Sequence, residues 1–176
     1  KITLACYEVK LSELAIVGFC VNAGSNDDDH SGTAHFLEHL MFNNMKILDS
    51  LDKYGIEYNA ATNSFYTYYY FTGHVKNVEL MFNHLLNMLK YPNIDKKSVD
   101  RERKIILEEN KIVADRYSTK LYDYLCKTYY KRTPMELSIG GSDESLREIS
   151  AKSLLNFYNT YYTPENICFV MVGDID

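Results

Sequence analysis

The chain has 176 residues, 46% of them apolar and 24% charged, with a formal net charge of −5. That is enough length for one domain with a real core, and the composition is that of a soluble globular protein. The acidic balance and the shortness of the Lys/Arg clusters argue against nucleic acid as a partner, and no run of 18 apolar residues offers a membrane span. LAIVGFCV is too short for the core of a signal peptide and lacks a basic flank, so no such segment is expected. Cys6, Cys20, Cys126 and Cys168 are far apart in sequence, and no CxxC pair occurs. They read as reduced, buried thiols of an intracellular protein rather than a cysteine zinc site.

In chain order, ITLACYEV and ELAIVGFCVNAG read as two strands, the second buried and ending in a glycine turn. SNDDDHSG follows as a polar, acidic loop, with Asp27, Asp28 and Asp29 expected in solvent. The alternative for that run is attraction of basic peptides. A helix then carries SGTAHFLEHLMF, and MKILDSLDKYG reads as a short amphipathic helix closed by Gly55. IEYNAATNSFYTYYYFTG supplies a strand pair dense in Tyr and Thr. Apolar residues from Val78 to Leu89 mark a helix stopped by Pro92. Residues 98–130 read as one long helix or two in series, with Ser98 as N-cap. A loop with Pro134 and Gly140-Gly141 leads to a helix in SAKSLLNFYNTYY and a last buried strand in ICFVMVGDI. Helices and strands mix without a βαβ rhythm and without a phosphate-binding glycine loop. The expected class is therefore α+β, a mostly antiparallel sheet covered by helices on one side.

In SGTAHFLEHLMF, the apolar Phe36, Leu37, Leu40, Met41 and Phe42 surround His35, Glu38 and His39. Residues four apart on a helix lie one turn above each other, so His35 and His39 can aim at one point. Glu38 sits on an adjoining part of that face. This is the HxxEH order, the reverse of the commoner HExxH zinc-protease pattern. Two readings fit: core histidines bonded to backbone beside a surface glutamate, or a metal site. A catalytic metal would need a third ligand and an open position. DRERKIILEENKIV offers candidates, since Glu102 and Glu109 are seven apart on one helical face, with Glu108 about 100° round from Glu109. Ile105, Ile106, Leu107 and Ile112 suggest that much of that helix is buried. His30, His74 and His84 lack partners at chelating spacing.

VNAGS, GTAHFLEHLMF, YNAAT with its Tyr-rich strand, ERKIILEE and the stretch from GGSDESLREIS to the end follow one another in the order of a known family. On these landmarks the chain resembles the pitrilysin (inverzincin) zinc metallopeptidases, the processing peptidases among them. The resemblance implies that His35, His39 and Glu109 hold one zinc ion and that Glu38 is the general base. It implies a supporting or catalytic role for Glu102, and places Asn59 and Ala60 on an edge strand that binds the substrate peptide. It further implies that residues 1–176 form a single catalytic domain, most of the first of several, closed by a second homologous domain or subunit. The alternatives are a non-catalytic structural subunit of the same fold and a zinc hydrolase of non-peptide substrates. The sequence departs from the family at Asn43-Asn44-Met45, where a Lys-Gly-Thr turn is usual, and in a shorter spacing from His39 to Glu109.

Overall fold

A computed structural model of the chain describes residues 2–43 and 51–175. The strands are β1 (Thr3–Glu8), β2 (Leu14–Val21), β3 (Glu57–Thr62), β4 (Thr67–His74) and β5 (Ile167–Gly173). The helices are α1 (Thr33–Asn43), α2 (Val78–Lys90), α3 (Lys96–Ala114), α4 (Tyr117–Tyr129), α5 (Asp143–Glu148) and α6 (Ala151–Tyr161). The five strands form one sheet in the order β1-β5-β2-β4-β3. Among the described residues only the β1–β5 pair is parallel. This is the α+β arrangement expected.

Alternation builds the inner face. Ala15, Val17, Phe19 and Val21 of β2 are buried, as are Tyr69 and Phe71 of β4 and Ile167 and Phe169 of β5. The register sets Phe19 between Tyr69 and Phe169, with ring centroids 4.7 and 5.6 Å away. Leu37, Leu40 and Met41 of α1, Met81 and Leu85 of α2, and Leu154 and Phe157 of α6 complete the core on this face. Each large side chain so buried contributes about 1.5–3 kcal/mol of transfer free energy. The core thereby fixes which side of α1 faces inward.

Of the two readings of 98–130, two helices in series is the one found, with the break between Ala114 and Tyr117. Several other expectations are corrected. The cap of α3 is Asp95, whose carboxylate accepts from the Ser98 amide at 2.8 Å, so Ser98 lies inside the helix. The helix α5 was not foreseen; Ser142 caps it. Most of the helix expected in MKILDSLDKYG falls on residues 45–50, outside the described residues, as do Asn44 and Met45. Beyond them Asp52–Tyr54 make a 3-10 turn closed by Gly55 in the left-handed region, φ 63°. Ile105 and Ile112 are exposed, on a flank of α3 about 60° round from Glu102 and Glu109; Ile106 is the buried one. The cysteines are free, but only Cys126 is buried: Cys6 is exposed at the sheet edge, and Cys20 and Cys168 are half-covered register partners on the helix-free face. No helix among the described residues is long and apolar enough to cross a membrane.

Candidate metal centre

The motif helix is anchored before its first turn. Asp28 accepts from the amides of Gly32 and Ala34, both at 2.8 Å, and so satisfies donors that a helix start leaves open. Burial pushes its carboxyl up to about 7, against the pull of those N–H groups. The expected solvated acidic loop is thus wrong for Asp28, and Asp27 is engaged as well, accepting from the Gly24 amide at 2.9 Å. Only Asp29 is exposed.

With Phe36, Leu37, Leu40 and Met41 fully buried, His35, Glu38 and His39 turn to the other side of α1. Their neighbours come from α3 and β3. Ligand atoms of His35, His39 and Glu109 all lie within 4.8 Å of one another, the one such group of three among the described residues. His39 Nε2 is 3.2 Å from Glu109 Oε2. A neutral imidazole carries one N–H: with the proton on Nε2 the contact is a hydrogen bond, and with it on Nδ1 the two atoms are both acceptors, which a cation can bridge. Two zinc ligands at 2.0–2.1 Å in tetrahedral geometry would be about 3.3 Å apart, so the spacing fits. Burial, and then the neighbouring His39, push the His35 imidazole down to about 4, which keeps it in the neutral form that binds metals. Its Nδ1 is buried without a hydrogen-bond partner. Two imidazoles and one carboxylate are a donor set suited to zinc with a position left open.

Glu38 does not share the ligand cluster. Its Oε2 accepts from the Thr62 hydroxyl at 2.6 Å, and burial raises its pKa, opposed by Thr62 and His39. Behind it Tyr69 and Tyr162 join their hydroxyls at 2.8 Å in the core. Glu102 is 1% exposed and stands behind His39, its Oε2 3.8 Å from Nδ1 and its Oε1 bonded to Arg101 Nε at 2.9 Å. It borders the ring rather than the cavity, a position from which a carboxylate orients a ligating histidine. Glu108 points to solvent and pairs with Lys111 at 2.7 Å.

The cavity in front of these groups has a volume of about 500 Å³. Residues 59–62 of β3 form one wall, α4 with Tyr122, Asp123, Cys126 and Lys127 another, and residues 135–140 a third. Asn59 and Ala60 lie on β3, the strand at one edge of the sheet. However, Asn59 Oδ1 takes the Ala60 amide at 2.9 Å, so one edge donor is already engaged. His30 meets Glu148 at 3.5 Å and His74 accepts from Lys76, away from this cavity. Sequence reasoning missed Thr62, Asp28, Asn110 and the α4 wall. Only Asp28 carried a signal, an acid just before a helix; the others depend on contacts across the fold.

Comparison with known proteins gives a consistent picture. The profile of the family described as Insulinase (Peptidase family M16) matches residues 6–143, and that of the Peptidase M16 inactive domain matches residues 148–176. The chain is 28% identical to mitochondrial-processing peptidase subunit beta of Neurospora crassa over 99% of its own length and 38% of that protein's. It is 32% identical to the uncharacterized zinc protease YmfH of Bacillus subtilis, over 89% of this chain and 37% of the relative. The crystal structure of a putative M16-like peptidase from Alicyclobacillus acidocaldarius superposes with a TM-score of 0.90 at 27% identity, covering 98% of this chain and 44% of that one. The chain thus spans less than half the length of these relatives.

Proposed function

Because the chain belongs to the insulinase family of peptidases, M16, we propose that it is the catalytic domain of a zinc-dependent endopeptidase. In this reading residues 1–176 form most of the first domain of a larger protein. The observation that carries the reading is the convergence of His35, His39 and Glu109 beside a Glu38 held by Thr62. Zinc bound there supplies a Lewis acid for the scissile carbonyl and lowers the pKa of water. The remaining chemistry belongs to the chain. Thr62 holds Oε2 of Glu38, so Oε1 accepts the proton of the attacking water and then delivers it to the leaving amine. Glu102 orients His39, and the edge of β3 at Asn59 and Ala60 takes an extended peptide or unfolded segment as an added strand. A second homologous domain or subunit closes the chamber. Relatives more than twice as long support this, as do the exposed Ile105 and Ile112 of α3 and Leu121 and Leu125 of α4, which want a cover.

The test is zinc content and peptide cleavage for the full-length protein and its Glu38→Gln variant. The variant is expected to retain zinc and to lose cleavage by about 10²-fold or more. A wild type without zinc, or a variant that still cleaves normally, would overturn the proposal.

A further inference from the structure

The helix α3 carries two rows of side chains at seven-residue spacing. Glu102 and Glu109 form one row, beside His39. Arg103 and Asn110, each one position later, form the second, about 100° round the helix. Both members of the second row end on backbone carbonyls of the segment between α4 and α6. Asn110 Nδ2 donates to Gly140 O at 3.0 Å and Gly141 O at 3.1 Å. Arg103 donates through Nε to Leu146 O at 2.9 Å and through Nη2 to Ile149 O, and its guanidinium lies over the Phe36 ring of α1.

The same segment is bonded to the start of α1. Ser31 Oγ donates to Ser138 O at 3.1 Å, and Ser145 Oγ donates to Ser31 O at 2.8 Å. Between them the backbones touch. A Cβ on Gly141, whose φ is +75°, would sit 2.3 Å from Ser31 O, and one on Gly140 would sit 2.4 Å from Asn110 Oδ1. A continuous bridge therefore runs from Asn110 through Gly140-Gly141 to Ser31-Gly32. One end adjoins Glu109 and the other lies one turn ahead of His35.

We infer that Asn110 is a positioning residue for the metal centre: by fixing α3 to the Gly140-Gly141 turn it sets the rotation of the helix that presents Glu109 to His35 and His39. The inference rests on the proposed reading of those three residues as metal ligands. A carboxylate about 6 Å from the helix axis moves about 1 Å for about 10° of helix rotation, whereas metal–ligand distances tolerate about 0.2 Å. A helix free to roll by that amount holds its ligand poorly. Direct packing of α1 on α3 resists separation of the two helices; hydrogen bonds from a side row resist rolling.

The experiment measures the zinc dissociation constant by competition with a chromophoric chelator, and the melting temperature of the metal-free form, in the full-length protein. The variants are Asn110→Ala, Asn110→Asp and, as a control, Ser150→Ala, which removes the cap of α6. Both Asn110 variants are expected to weaken zinc binding about 10- to 100-fold. Asn110→Asp should be at least as damaging as Asn110→Ala, because it keeps the volume but faces carbonyls with an acceptor. Ser150→Ala should lower the melting temperature and leave zinc affinity unchanged. Wild-type affinity in Asn110→Ala, or a loss of affinity in Ser150→Ala equal to that in Asn110→Ala, overturns the inference while leaving the metal reading intact. A wild type that binds no zinc removes both.

Discussion

Oε2 of Glu38 is bonded to the Thr62 hydroxyl at 2.6 Å, and in the proposed mechanism Oε1 takes the proton arriving from the cavity. A hydrogen bond to a charged group is worth about 1.5–3 kcal/mol. Thr62→Val keeps the shape of the side chain and removes that bond, so kcat should fall about 10- to 100-fold. Zinc content should not change, since Thr62 is not among the proposed ligands. Steady-state kinetics beside metal analysis decide the matter: an unaltered kcat would free Thr62 of this role. The residue was invisible in the sequence, where a threonine in a Tyr/Thr-rich strand looks like any strand former. The pattern HFLEH was visible because its three side chains share one helix, whose pitch alone places them.

At the scale of elements, the sequence announced α2 through its apolar spacing, β4 through its Tyr and Thr, and β2 and β5 as apolar runs; the last two are buried on one face only, with Leu14, Ile16 and Val170 exposed. Boundaries depended on single hydrogen bonds and were harder to read. Asp95 rather than Ser98 starts α3, although both are N-cap types three residues apart. Residues 143–148 hold a helix too short to show a period. The start of α1 depends on Asp28, six residues before the last amide it caps. Asp28→Ala leaves the Gly32 and Ala34 amides without that acceptor, and the expected cost is about 1–2 kcal/mol of stability. Urea unfolding of the metal-free protein measures it; a midpoint equal to wild type would show that water or another group takes over the cap.

For the whole molecule, the charge state of His35 ties the site to global stability. Burial and His39 lower its pKa from 6.5 to about 4, so between those values the unfolded chain binds a proton that the folded chain excludes. The contribution is fully present above about pH 6.5 and is lost as the pH falls through about 4. It is on the order of 3 kcal/mol. Asp28 and Glu38, whose pKa values are raised, act in the opposite sense over the same window, so the His35 part is read as a difference: the midpoint of the metal-free wild type should fall relative to that of His35→Gln as the pH drops from about 6.5 to about 4. Parallel curves for the two proteins would assign the pH dependence to other groups. By itself the sequence determined what lies within one element: the one-turn spacing that lets His35 and His39 aim at one point, the adjoining Glu38, the shared face of Glu102 and Glu109, and the alternation of the strands. Helix and strand pitch fix such relations locally. Only the tertiary structure decided that Glu109 meets His39 while Glu102 stands behind it. It also decided that Ile105 and Ile112 face outward, that Thr62 holds Glu38, and that Asn110 reaches the Gly140-Gly141 turn. Those are distances between elements far apart in the chain, set by how the core packs, and no local period encodes them.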